Sequence, residues 1–211
     1  MHIITKIEQQ KNNIRRYSIF LDGEYSFSVS EDTLVKLRLK KGMEIAEDKI
    51  EFILEHEEIS LCKLYGLKLL SYKARSEQDI RDKMSKRGYS EKAIEEAIKY
   101  LRDQKYIDDE EFAKNYIRSS IINKKLGYNR IKNELLQKKV EGKIVEAVFD
   151  ELIDNDDEYE RALELAIKKR NTTYKNDDIQ SAYRKLGGFL QRKGYSTDVV
   201  IKVLKEVLKT D

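Results

Sequence analysis

The side chains best suited to acid–base, nucleophilic or metal chemistry are scarce in this chain. Its 211 residues include two histidines, His2 and His56, and one cysteine, Cys62. Neither histidine stands in a metal-binding pattern, and one cysteine forms neither an intrachain disulfide nor a cysteine zinc site. The sequence also lacks a glycine-rich phosphate-binding loop. It therefore predicts a protein that is not an enzyme and that carries no metal and no cofactor.

One acidic run superficially resembles a metal loop. It comprises Asp154, Asp156, Asp157 and Glu158. A calcium loop needs a glycine at its sixth position and a glutamate at its twelfth, and the run has neither. Acidic side chains also favour the first turn of a helix. We expect a linker that leads into a helix at this point.

Basic residues give a clearer functional signal. One set falls where helices are predicted to end, and the helix macrodipole favours cations there. Its members are Lys83, Lys86, Arg87, Lys138, Lys139, Arg192 and Lys193. Helix termination and partner binding both account for this set, and the sequence does not choose between them.

A second basic set surrounds the turn at 126–129. Its members are Lys124, Lys125, Arg130 and Lys132. The turn is expected to start a helix, where the macrodipole disfavours cations. This set is therefore predicted to contact phosphates or an acidic protein surface.

The composition indicates the elements that position these residues. Charged residues make up 38% of the chain, and proline is absent. Because proline breaks helices and marks loops, its absence favours many helices joined by short turns. The net charge of +3 conceals alternating segments, with +7 over residues 114–143 and −8 over residues 144–167. This alternation is typical of a modular architecture.

The first residues follow a strand pattern. Two runs, 14–21 and 24–29, flank Asp22-Gly23, which is a strong hairpin signal. Alternation predicts one buried face, formed by Tyr17, Ile19, Leu21, Tyr25, Phe27 and Val29. A third strand is predicted at 3–7, with its turn at Asn12-Asn13, and Ser30 is predicted to cap a helix that runs through Leu39 and ends at Lys41-Gly42.

From about Glu47 the period is helical, and one phrase then occurs three times. The apolar positions are Ile80, Met84, Tyr89, Ile94, Ile98 and Leu101, then Ile131, Leu135, Val140, Val145, Phe149 and Leu152, then Leu186, Leu190, Tyr195, Val200, Leu204 and Val207. A repeat of about fifty residues predicts stacked helical modules. Each copy reads as a helix, a tight turn and a second helix, and Gly88 and Gly194 mark two of the turns. A third helix is predicted after 107–109 and another near 156–157.

These motifs resemble the RecX family of recombinase regulators. The likeness covers about residues 60–208, and the N-terminal segment looks like an extension carried by some members. The matching segments are 75–77, 86–89 and 106–113, followed by 125–127, 130–131, 134–135, 185–190 and 194–195. Two departures stand out: Lys139-Val140 replaces a glycine–hydrophobic turn, which predicts a less sharp turn, and Gly187-Gly188 softens a helix.

The resemblance implies a mostly α fold of three tandem three-helix repeats that form an extended curved body behind a small β-hairpin-containing segment. We place the boundaries at 1–59, 60–120, 121–170 and 171–211. It also implies a partner, the RecA recombinase as its filament on single-stranded DNA, whose ATPase and strand exchange such proteins mainly inhibit. We expect a cytoplasmic monomer with no membrane contact, because no apolar run is long enough to span a bilayer.

A second function stays open, that of a nucleic-acid backbone-binding module that acts without RecA. The predicted second helices, 91–101 and 143–152, are acidic, which argues against sequence reading in the major groove. The near-neutral total charge predicts weak backbone binding. The N-terminal hairpin either caps the repeat stack or adds a second contact surface.

Overall fold

The computed structural model describes residues 1–152 and 155–209, and at 155–157 the backbone alone. The described part contains four strands: β1 (His2–Gln10), β2 (Asn13–Leu21), β3 (Glu24–Ser30) and β4 (Glu44–Ile45). Its helices are α1 (Glu31–Lys36), α2 (Glu47–Tyr72), α3 (Glu77–Lys86), α4 (Glu91–Asp103), α5 (Asp109–Lys124), α6 (Tyr128–Gln137), α7 (Gly142–Leu152), α8 (Asn155–Asn171), α9 (Ile179–Lys193) and α10 (Thr197–Leu208). The predicted mostly α class with a small β segment is confirmed.

The chain divides into two compact units. The N-terminal unit comprises Met1–Ala74 and Ile80–Tyr106, and the C-terminal unit comprises Arg75–Asp79 and Ile107–Asp211. Within the described residues, no helix is both long enough and apolar enough to cross a membrane.

The N-terminal unit opens with an antiparallel sheet in the order β3-β2-β1-β4. Asp22 and Gly23 both have positive φ, as the predicted hairpin turn requires. Glu57 of α2, only 4% exposed, binds the sheet: it accepts hydrogen bonds from Arg16 at 3.0 Å and from the Ser30 amide at 2.9 Å. A buried carboxylate is stable only when it is paired in this way.

Several details of the N-terminal prediction are wrong. Tyr25 is 59% exposed, because a β-bulge pairs it with Phe20 and moves it off the buried face. The first turn is Lys11-Asn12, one residue earlier than expected. Ser30 does cap α1, but the helix ends at Lys36, and the segment after it leads into β4, which the sequence did not predict.

Fifteen of the eighteen repeated apolar positions are buried as predicted, and Tyr89, Leu152 and Val207 are partly buried. In the C-terminal unit, Ile131 and Leu135 are buried with Val145 and Phe149, and α5 contributes Ala113 and Ile117 to the same core. A corresponding core joins α8, α9 and α10. Helix α5 therefore packs with the two helices that follow it, and the boundaries placed at 59, 120 and 170 stay predictions.

The turn of the second copy is as sharp as the turns of the other two copies, so the prediction of a less sharp turn is wrong. Lys139 takes a left-handed φ of 67°, beside 90° at Gly88 and 95° at Gly194. The amide of Val140 donates to Leu135 O at 3.2 Å, as that of Tyr195 does to Leu190 O. A lysine can adopt this conformation at a cost of roughly 1–2 kcal/mol. Gly187 and Gly188 lie within α9, as predicted.

Candidate functional site

Most of the predicted basic residues lie at the ends of helices, and Lys132 lies in the middle of α6. Lys124 is the last residue of α5, and Lys125 is its left-handed C-cap, with φ of 48°. The argument that the macrodipole disfavours these two lysines is therefore wrong, because the dipole of α5 favours them. Their location alone no longer indicates a binding role.

Three members of the turn set are paired with glutamates. Lys125 contacts Glu164 of α8, which lies 39 residues away in the sequence. Arg130 Nε donates to Glu134 at 2.9 Å. In the same unit Lys132 Nζ lies 2.5 Å from Glu146. These pairs reduce the positive field that the turn would otherwise present to an anion.

The start of α6 lies against the end of α9, in a contact that we name the glycine joint. The amide of Gly127 donates to Lys193 O at 2.9 Å, and that of Asn129 donates to Gly194 O at 3.2 Å. A Cβ on Gly127 would lie 2.4 Å from the backbone of Gly194, and one on Gly194 would lie 2.2 Å from Arg130 Cβ. Both positions therefore require glycine.

Two predicted cations take part in the glycine joint. Lys193 Nζ donates to Lys124 O at 2.8 Å, and Arg130 Nη1 donates to Arg192 O at 2.9 Å. Burial lowers the pKa of Lys193, and the charges of Arg130 and Lys169 lower it further. Lys193 thus has a structural role, since its ammonium donates a hydrogen bond to the carbonyl of Lys124 at the end of α5.

A related contact, the serine joint, binds the start of α3 to the end of α6. Ser76 Oγ donates to Lys138 O at 2.5 Å, and Ser76 is 1% exposed. The Glu77 amide donates to Asp109 Oδ1 at 2.8 Å. In the glycine joint the corresponding donor is Tyr128 N, which binds Glu158 Oε1 at 2.7 Å.

Tyr116 lies beside two lysines that form no ion pair with a carboxylate among the described residues. Lys124 Nζ lies 5.5 Å and Lys138 Nζ 4.9 Å from the centre of its ring. Its hydroxyl donates to Glu134, and burial together with this contact raises the pKa of Tyr116 to about 12. Burial would raise the pKa of Glu134, but hydrogen bonds from Tyr116 and Arg130 outweigh it, and the pKa falls below its usual value.

The N-terminal unit holds the remaining predicted cations. Lys83 and Lys86 lie in the last turn of α3, as the sequence indicated. The Arg87 guanidinium lies 4.8 Å from the centre of the Tyr65 ring. Lys86 and Arg87 are exposed, and Lys83 is half-buried.

The structure describes only part of the acidic run. Asp154 lies outside the described residues, and so do the side chains of Asp156 and Asp157. Glu158 is buried and accepts the Tyr128 amide, so it caps α6 as well as standing near the start of its own helix. Burial raises its pKa. Among the described residues, no cluster of histidine, cysteine and carboxylate groups could hold a metal ion.

Sequence reasoning missed a polar pocket beside the glycine joint. It has a volume of about 390 Å³ and is lined by α6 and the end of α9. Its carboxamide side chains are those of Asn129, Asn133, Gln137 and Gln191. The first three follow one another at four-residue spacing along one face of α6, which is a signal that the sequence did contain.

Comparisons with known proteins identify the same family at four successive segments of the chain. Family models match in four places: the Regulatory protein RecX N-terminal domain at residues 2–46, and the first, second and third three-helix domains of RecX at 62–101, 108–148 and 156–204. The likeness thus extends to the N-terminal segment, beyond the residues from which it was first inferred.

Whole-chain relatives point the same way. A Regulatory protein RecX of Clostridium beijerinckii is 35% identical over 99% of this chain and 97% of its own length. One from Clostridium botulinum (strain Eklund 17B) is 34% identical over 97% and 96%. A crystal structure of regulatory protein RecX matches with a TM-score of 0.73 and 32% identity, covering 100% of both chains. With three helical domains behind a small antiparallel sheet, this chain belongs to the RecX family of regulatory proteins.

Proposed function

We propose that this protein binds the RecA recombinase, as its filament on single-stranded DNA, and mainly inhibits its ATPase and strand-exchange activities. Family membership supports a regulatory role, and the family resemblance supplies the partner. The residue-level support comes from two exposed lysines of the predicted basic sets, Lys124 and Lys138.

The observation that carries the proposal is the pair of lysines at the Tyr116 ring. Lys124 and Lys138 are exposed, and neither forms an ion pair with any carboxylate in the part of the chain that the structure describes. Both stand over the face of one aromatic ring, which holds their positions while the ammonium groups remain open to solvent. An external anionic surface is the partner that this arrangement suits best.

A regulator of this kind works by binding without chemistry. Contacts that hold adjacent RecA protomers in one arrangement would oppose the motions that ATP hydrolysis and strand exchange require. A bound regulator shifts the filament toward the state that it binds more tightly. To inhibit, this protein must therefore bind the arrested filament more tightly than the active filament.

A titration of the purified protein into RecA filaments tests the proposal. ATP hydrolysis and strand exchange should both fall as the protein approaches a stoichiometric ratio. If both rates were unchanged at excess protein, the proposed function would be wrong.

A matched pair of variants tests the lysines. Lys124→Gln with Lys138→Gln removes two available cations, and Lys125→Gln with Lys132→Gln removes two that are already paired. The first variant should weaken filament binding roughly thirtyfold, because it loses two phosphate or carboxylate contacts of about 1 kcal/mol each, and the second should weaken it much less. Equal losses would show that the Tyr116 lysines have no special role.

A binding measurement with DNA alone distinguishes the proposed function from the alternative, a backbone-binding module that acts without RecA. Such a module would bind DNA alone with a steep salt dependence, with a slope of about 0.7–0.9 per phosphate contacted. The pairing of Lys125, Arg130 and Lys132 with glutamates favours weak DNA binding.

A further inference from the structure

The pocket beside the glycine joint has unused hydrogen-bonding capacity. Asn129, Asn133, Gln137 and Gln191 line it, and the four residues are exposed. Their carboxamide groups have no hydrogen-bond partner within the described residues. Each carboxamide offers two N–H donors and one oxygen acceptor, so the pocket presents both kinds of group to whatever enters it.

The spacing of these groups suits an extended peptide. Three of them lie at four-residue intervals on α6, so they recur about every 6 Å along the helix. Every second residue of an extended chain recurs about every 6.6–6.8 Å. A peptide backbone also presents N–H and C=O groups together, whereas a phosphodiester only accepts hydrogen bonds and would face the carboxamide oxygens unfavourably.

The charged members of the pocket indicate an acidic side chain on that peptide. Arg192 is exposed and forms no ion pair in the described part of the chain. Arg130 is bound to Glu134 and to Arg192 O, which leaves Arg192 as the available guanidinium. A guanidinium binds a carboxylate through two parallel hydrogen bonds. The carboxylate of Glu134 also lines the pocket, where it is paired with Arg130.

We infer that the α6–α9 pocket is a binding site for an extended, acidic segment of the protein partner, held by carboxamides along its backbone and by Arg192 at one carboxylate. The inference rests on the proposed function, because it names the surface that would contact the recombinase and not its DNA. The carboxamides would fix the position of the peptide backbone along α6, and Arg192 would favour a peptide that carries a carboxylate side chain.

A charge-neutral variant tests the carboxamides. Asn133→Ala with Gln137→Ala removes two of them without altering the charge of the surface. Fluorescence anisotropy would measure affinity for RecA on a labelled oligonucleotide, and separately for the oligonucleotide alone. We expect filament affinity to fall roughly tenfold, since two hydrogen bonds are lost, and oligonucleotide affinity to stay unchanged.

A control removes two exposed amides elsewhere in the same unit, Asn176→Ala with Gln180→Ala, and should leave both affinities unchanged. Circular dichroism would verify that each variant retains its helices. Arg192→Glu should weaken filament binding more than Arg192→Lys, because it opposes a carboxylate.

The outcomes are distinct. A wild-type protein that does not bind the filament contradicts the proposed function itself. If the wild type binds and Asn133→Ala with Gln137→Ala binds equally well, only the pocket inference fails. A parallel loss of filament and oligonucleotide affinity would identify the pocket as a nucleic-acid site, which also overturns the inference.

Discussion

The glycine joint and the serine joint perform the same task with different chemistry. In each, the start of one helix meets the C-terminal turn of another, and a carboxylate from a third helix accepts a backbone amide, Glu158 in one and Asp109 in the other. Gly127 donates through its own amide, whereas Ser76 donates through its hydroxyl. The serine joint therefore contains a contact between a side chain and the backbone, whereas the glycine joint contains a direct contact between two backbones.

This difference explains the departure of the second copy from the glycine turn. Gly194 has no room for a Cβ, because Arg130 lies directly against it. At the corresponding turn Lys139 keeps its side chain exposed while it holds the same left-handed conformation. The repeat therefore needs a left-handed residue at this position, and glycine becomes compulsory only where backbones meet.

The largest expected effect comes from Gly194→Ala. The new Cβ would collide with Arg130 in addition to straining φ, so the free energy of unfolding should fall by about 3–5 kcal/mol. Gly88→Ala is the matched control, since a Cβ at Gly88 meets nothing within 4 Å and should cost only about 1–2 kcal/mol of backbone strain. Urea denaturation would measure both, and equal losses would contradict the distinction between the two turns.

A smaller effect is expected from Ser76→Ala. It removes the hydroxyl that binds Lys138 O and leaves that carbonyl without its partner, so the unfolding free energy should fall by about 1–3 kcal/mol. Ser196→Ala provides the comparison, because Ser196 caps α10 through Val199 N, a contact worth about 1 kcal/mol. A loss at Ser76 no greater than that at Ser196 would argue against the serine joint as a long-range contact.

The smallest effect concerns the pH dependence of the glycine joint. Because the folded pKa of Glu158 is raised, its protonation stabilises the fold at low pH, and this contribution is lost as the pH rises through the folded pKa. Glu158→Gln keeps an acceptor for Tyr128 N and should flatten that dependence over the pH range just above the ordinary pKa of a glutamate. Glu158→Ala should instead lower stability by about 1–2 kcal/mol at every pH.

Thermal or urea unfolding over this range would compare the Glu158 variants with the wild type. An unchanged pH profile in Glu158→Gln would exclude this carboxyl as its source.

Sequence patterns located most of the buried positions of strands and helices, and they were less informative about the site. Alternation placed Ile19 and Val29 in the sheet core, and the repeat placed Ile131 and Leu186 in helical cores. Tyr25 failed because a single bulge shifts the pattern by one residue, which no local periodicity reveals. Lys124 and Lys125 were assigned to the wrong helix end, because α5 extends as far as the turn itself.

The sequence by itself determined the modular helical architecture, since burial at periodic positions is a local property that recurs with each copy. Only the tertiary structure decided which cations are available. Lys125 binds the carboxylate of Glu164, 39 residues away in the sequence, and Lys193 binds the backbone carbonyl of Lys124, 69 residues away. Such pairs arise when helices dock, so their formation depends on packing distances that spacing along the chain does not contain.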